Sequence, residues 1–304
     1  MVHVSANQIL NYGLELIGET PRQNRCQKIN IRIDNFRSEF GSHPLVYAKI
    51  YRDLGRSEGE RNLKFFLICI FWFNKYDEEK DLRFRFGHDE DTIRKYNWHY
   101  AESIALLREE MIKLPKSRAS VELPMSVDGT HCRVPEPLHT TMPFDKGFSS
   151  HKFGGKSGLA YEIGVNTVDD VGCCWISDPF PAGHNDKQIF RKNGLQKWLV
   201  DRGKKAIADE GYEFVKGGGV SIPNSKYESK TTNIYKRRAR ARHEAYNGKI
   251  KTFNILKNKF RCKGKSMMRK HNTVFVAVCV IVSQHRYRQL LPRTTRIDPS
   301  RILK

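Results

Sequence analysis

Near residue 120 the spacing of apolar residues changes from helical to extended. Upstream, Ile93, Tyr96, Tyr100, Ile104, Leu107, Met111 and Leu114 recur at intervals of three and four, one stripe along a helix that runs from Asp91 to Pro115. Downstream, Val121, Leu123, Met125 and Val127 alternate with Glu122, Pro124, Ser126 and Asp128, the period of a strand with one buried face. Helices first and strands afterwards, over 304 residues, predict a helical domain at 1–120, an α/β domain at 121–285 and a short basic tail at 286–304.

Within the first part, Ser42 and Pro44 open a helix over PLVYAKIYRDLG that Gly55 closes. DEEKDLRFRFG reads as a short helix ending at Gly87, so a helix-turn-helix with the next helix is conceivable, although the acidic cluster from Asp77 to Asp91 favours ordinary packing over groove reading. In the second part, Asp128-Gly129 predicts a turn, and GLAYEIGVNTVDDVGCCWIS adds two strands around the turn 169–172 to complete a three-stranded antiparallel meander. QIFRKNGLQKWLVDRG reads as a helix, KKAIADEGY as a buried strand ending at Asp209, and residues 216–224 as a glycine-rich loop. A long basic helix is expected over 231–260, with Tyr246, Ile250, Phe253, Leu256 and Phe260 on its apolar side. The β-branched run Val274 to Val282 reads as strand.

The formal charge of +21 points to a polyanion, nucleic acid or an anionic surface, as partner. Between 231 and 270 there are fourteen basic residues and a single acid, Glu244. On a helix, Arg237, Arg240, Gly248 and Lys251 share the face of Glu244, which makes Glu244 either an ion-pair partner of Arg240 or one carboxylate in a phosphate-holding stripe. Lys146 to Gly158, with Lys152 and Lys156, reads as a DNA-contacting loop; its GGKSG lacks the first glycine of a P-loop, Ser150 standing there instead, which excludes that mode of ATP binding. The longest apolar runs are far short of the roughly 20 residues that span a bilayer, so no membrane association is expected. Seven cysteines without a C-x-x-C pair read as reduced thiols.

Three acids stand out together. Asp128 lies on the first strand, Asp209 at the carboxyl end of a later one, and Glu244 on a following helix. In Ser126-Val127-Asp128-Gly129-Thr130-His131, Ala208-Asp209-Glu210-Gly211-Tyr212, Arg242-His243-Glu244 with Gly248-Lys249-Ile250-Lys251, and Gly183-His184-Asn185-Asp186 between them, the sequence resembles the DDE superfamily of transposase endonucleases, of the PIF/Harbinger type and related bacterial insertion-sequence transposases. Phe36-Arg37 with Phe40-Gly41, and Thr92 to Trp98, are similar to that family's N-terminal helical region.

The resemblance implies an RNase H-like mixed sheet flanked by helices, preceded by the helical domain, with a helix over Val274 to Val282 against the strand read there from the residues, and a transposase that cleaves DNA at transposon ends and transfers the strand to target DNA. Such cleavage suits two divalent ions, Mg²⁺ or Mn²⁺, held by hard carboxylate oxygens. Asp128 is expected to bridge both, with Asp209 and Glu244 each completing one; Asp186 is a further candidate ligand or equally a helix N-cap. Arg237, Arg240, Lys251, Lys152 and Lys156 are the expected DNA contacts. The resemblance also implies a homo-oligomer, a Myb-like DNA-binding accessory protein and residence in the nucleus, or the cytoplasm of a prokaryote. Two departures from the pattern, Glu210 after the second acid and His243 before the third, motivate the alternative of a domesticated, inactive DNA-binding protein. A nuclease acting on RNA is a third reading.

Overall fold

The structure, a computed structural model, describes residues 4–55, 60–115, 122–136, 146–167, 172–223 and 228–284. Its helices and strands in chain order are α1 (Ala6–Leu16), α2 (Pro21–Cys26), α3 (Ile29–Phe40), α4 (Pro44–Asp53), α5 (Glu60–Lys75), α6 (Glu79–Phe86), α7 (Glu90–Leu106), α8 (Arg108–Met111), β1 (Met125–Arg133), β2 (Gly158–Asn166), β3 (Cys173–Ile176), β4 (Phe180–Pro181), α9 (Asp186–Lys192), α10 (Leu195–Val200), β5 (Ala206–Ile207), β6 (Val220–Ser221), α11 (Lys230–Ile250), α12 (Asn254–Lys257) and α13 (Met267–Ser283). Two compact units result. Among the described residues the helical one takes in stretches within 4–111, 250–258 and 273–284, and the α/β one stretches within 112–249 and 259–272. The expected tail at 286–304 lies outside the described residues.

In the helical unit α5 is the hub. Its run Phe65 to Phe73 is buried throughout, as a helix apolar on every side must be. Phe65 stacks on Tyr96 of α7 at 3.9 Å, and Phe71 meets Phe40 and Phe86 edge to face. Gly87, in the left-handed region at φ 69°, turns the chain from α6 into α7, and Arg94 bridges Glu79 and Asp91 across that turn. The acidic cluster is thus partly spent on holding α6 against α7. The cap of α4 is His43, whose Nδ1 accepts from the Leu45 amide, rather than Ser42. The expected helix from Asp91 to Leu114 breaks at Leu107 into α7 and α8.

The strand expected over Val274–Val282 is helical instead, within α13. Every residue from Val274 to Val282 is buried, and burial on all sides of a helix outweighs the modest strand preference of valine and isoleucine.

The α/β unit carries a six-stranded mixed sheet in the order β3-β2-β1-β5-β6, with β4 also on β2. β1, β2 and β3 form the expected antiparallel meander; of its expected turn at 169–172, residues 169–171 lie outside the described residues. β5 joins β1 in parallel, and β6 joins β5 in parallel. Met125, Val127, Ala206 and Ala208 pack on one face with Phe190, Leu195 and Leu199 of α9 and α10. Ile207 packs on the other with Tyr235 and Ala239 of α11, so helices cover both faces. The single helix expected over 188–203 is two, because Gly194 at φ 86° starts α10 afresh. The helix expected over 231–260 also ends early, at Ile250, before α12.

Candidate active site

No turn forms at Asp128-Gly129. β1 runs straight through it, paired with β2 from Met125 to Arg133. The glycine serves close approach instead: a Cβ on Gly129 would lie 2.3 Å from Asp186 Oδ1, so the Asp186 carboxylate reaches the sheet only because that side chain is absent. Alternation directs Asp128 to the α11 face, where Asn247 Nδ2 donates to its Oδ2 at 3.2 Å, while the Gly129 amide donates to its Oδ1 at 2.8 Å.

Asp209 follows β5 and caps the 3-10 turn Glu210–Tyr212. Its Oδ1 is buried with no hydrogen-bond partner, and its Oδ2 faces Arg240 Nη2 at 3.8 Å. Asp186 is the first residue of α9, not its cap; Asn185 caps the helix, accepting from the Gln188 amide at 2.9 Å in a reciprocal capping box. The carboxyls of Asp128 and Asp186 are both held above the usual carboxylate range, first by burial, with Lys152 pulling down and the neighbouring acids pushing up. Asp128, Asp186 and Asp209 therefore share one electrostatic environment. Lys152 sits over it, its Nζ donating to the Gly129 carbonyl at 3.1 Å.

α11 forms the wall. Arg240, His243, Glu244 and Asn247 occupy one face at helical spacing, and three of them touch the sheet side: Arg240 through Asp209, His243 through Ser126, Asn247 through Asp128. Glu244 lies among them with its side chain 68% exposed and its Oε1 3.9 Å from Arg240 Nη2. The i,i+4 pair read from the sequence is present, and Arg240 links Glu244 to Asp209. His243 fills a buried position; its Nδ1 lies 3.0 Å from Ser126 Oγ, and burial drives its pKa down to about 3. An uncharged imidazole is thus an acceptable occupant of a packing position.

The basic stretch divides by depth. Arg237 and, outside this stretch, Lys156 are exposed, whereas Lys236 is fully buried, paired with Glu228 and donating to the Ile222 carbonyl at 3.0 Å, and Arg242 further along α11 is buried too. Lys251 falls beyond the end of α11, its Nζ donating to the Leu256 carbonyl at 3.5 Å, so it does not continue the Glu244 stripe.

Sequence reasoning missed Glu162. It lies on β2 opposite Gly129, 1% exposed, accepting from Asn193 Nδ2 at 2.6 Å and from the Tyr212 hydroxyl at 3.3 Å. Burial raises its pKa to about 8. The signal was present, a lone acid inside the otherwise apolar GLAYEIGV. Asn247, four residues before Lys251 on the same acid-bearing face, carried no such mark.

Among the described residues no three His, Cys, Asp or Glu side chains already converge to hold an ion. The chemistry of the donors nevertheless fits a hard divalent cation. Two half-buried aspartates, a third with an unpartnered buried oxygen, and an exposed glutamate on the adjoining helix supply oxygen ligands and no soft ones. A mixed sheet covered by helices on both faces, with aspartates on a central strand and at the end of its parallel neighbour, defines the RNase H-like class of nuclease folds. Residues 127–283, just over half of the chain, match the family model described as DDE superfamily endonuclease, and the chain belongs to that family. No curated protein and no solved structure matches it significantly.

Proposed function

We propose that this protein is a transposase of the PIF/Harbinger kind, a DNA endonuclease that cleaves at transposon ends and joins the freed strand to target DNA. The observation that carries the reading is the shared electrostatic environment of Asp128, Asp186 and Asp209, with Asp186 against Gly129, Asp209 Oδ1 lacking any hydrogen-bond partner, and Arg240 of α11 facing Asp209. Mg²⁺ or Mn²⁺ ions, when bound, supply a deprotonated nucleophile and relief of charge on the leaving oxygen. Asp128 and Asp209 would hold them, with Asp186 and Glu244 as the remaining oxygen donors. Arg240 pairs with Asp209 and Glu244 here, and once those carboxylates hold an ion its guanidinium would be released to take a phosphate. Lys152, Lys156 and Arg237 extend that wall toward the DNA backbone, and Lys251 is a candidate contact further along. The same reading carries a homo-oligomer, a Myb-like accessory protein supplying sequence recognition, and work in the nucleus.

The test is cleavage of DNA bearing the element's own terminal repeats with Mg²⁺ or Mn²⁺. Asp128→Ala, Asp209→Ala and Glu244→Gln should each lower the rate by about 10²–10³, the loss expected when several kcal/mol of charge stabilisation disappears. Glu244→Gln should leave DNA binding intact. Wild-type rates in Asp128→Ala and Asp209→Ala sink the proposal, and DNA binding without any cleavage by the wild type favours a domesticated binding protein.

A further inference from the structure

The three aspartates sit on three different segments, and one residue touches all three: its backbone pairs with the strand of Asp128 and its side chain reaches the segments of Asp186 and Asp209. Glu162 is the register partner of Gly129, beside Asp128 on β1. Asn193, its first donor, caps the C-terminal end of α9, whose first residue is Asp186. That helix is a rod of about 10 Å at 1.5 Å per residue, so fixing one end fixes the other. Tyr212, its second donor, closes the turn that Asp209 opens, the Tyr212 amide donating to the Asp209 carbonyl at 3.1 Å. Glu162 is itself held from behind, since Ser177 Oγ accepts from its amide and the Ser177 amide donates to its carbonyl, both at 2.9 Å. At 1% exposure the carboxyl cannot touch DNA.

Taking a carboxyl out of water is costly, and an apolar residue would fill the same space more cheaply. The specific return is geometric, because both of its side-chain donors belong to acid-bearing elements. We infer that Glu162 is the positioning residue of this site, a buried carboxyl that sets the spacing of Asp128, Asp186 and Asp209, and thereby the affinity for a divalent ion, through Asn193 and Tyr212.

The inference rests on the carboxylate-site reading, and the experiment separates the two. Mn²⁺ binding to the full chain is titrated by electron paramagnetic resonance, with circular dichroism and thermal melting of the metal-free protein alongside. Glu162→Gln keeps the shape and an acceptor for Asn193, and should bind Mn²⁺ within about threefold of wild type. Glu162→Leu should bind about 10–100-fold more weakly, the range for loss of a residue that orients metal ligands. Asn193→Ala combined with Tyr212→Phe should weaken binding in the same direction with Glu162 still present. A folded Glu162→Leu with wild-type affinity overturns the inference. So does a Glu162→Gln as impaired as Glu162→Leu, since the carboxylate would then be a ligand itself. If Glu162→Leu does not fold, the double variant decides, and an unchanged affinity there overturns it. A wild type that takes up no Mn²⁺, or whose uptake is indifferent to Asp128→Ala, instead rejects the site reading and this inference with it.

Discussion

Replacing His243 by leucine should make the α/β unit less sensitive to acid. The imidazole is buried and uncharged, with its pKa lowered to about 3 from an ordinary 6.5. Burial is the main cause and Arg240 adds to it, while the contact with Ser126 and the charge of Asp209 oppose. A depressed folded-state pKa gives stability that is complete above the unfolded value, here 6.5, and is lost as pH falls toward the folded value. At pH 5 the unfolded chain has gained about 1.5 pH units of protonation free energy that the folded chain refuses, or about 2 kcal/mol at 1.36 kcal/mol per unit. Leucine removes that term and also the 3.0 Å contact with Ser126 Oγ, which keeps the Val165 carbonyl as acceptor at 3.5 Å, a pH-independent loss of about 1 kcal/mol. Thermal melting of both proteins between pH 7.5 and 5.0 checks the argument. The wild type should lose about 4–8 °C more than His243→Leu over that range, taking about 2–4 °C per kcal/mol for a unit of this size. Glu162 runs the other way, its contribution being full below 4.5 and lost as pH rises through about 8, but it is common to both proteins and cancels in the comparison. A gap between the two melting temperatures that stays constant with pH would show that His243 is not held neutral, and the account of it as a packing residue would fall.

Two further substitutions probe the site and the charge. Gly129→Ala would put a methyl 2.3 Å from Asp186 Oδ1, so it should displace that carboxylate and weaken Mn²⁺ binding at a cost of about 1–3 kcal/mol in stability; unaltered binding would remove Asp186 from the ligand set. Lys236→Met should cost about 1–3 kcal/mol by unpairing Glu228 and the Ile222 carbonyl, yet leave the salt dependence of DNA binding unchanged. Arg237→Ala should do the reverse, flattening the slope of log affinity against log salt by about one, and equal slopes in the two variants would refute the division of this basic stretch by depth.

The alternation around Asp128 put that residue on a strand and on the face away from Val127, and the short apolar run before Asp209 put it at a strand's end; both stand in the structure. Such patterns are legible because they are local, set by the pleat and by which neighbours must be buried. The failures were equally local. Asp-Gly resembles a turn until the Asp186 carboxylate is seen to need the space beside Gly129. Val274 to Val282 resembles a strand until its burial on every side is seen. The basic run reads as uniformly charged until two of its members, Lys236 and Arg242, are seen to be buried.

The sequence by itself determined the change from helices to strands near residue 120, the location of the charge excess, and the places of Asp128 on a strand and Asp209 at a strand's end, since residue type and period are written along the chain. Only the tertiary structure decided that Asp186 shares the environment of Asp128 and Asp209, that Arg240 spans Asp209 and Glu244, and that Glu162 lies opposite Gly129 with donors from two other elements. Those relations join residues tens of positions apart, and the pairing of β1 with β2 and the packing of α9 and α11 on opposite faces of the sheet bring them together.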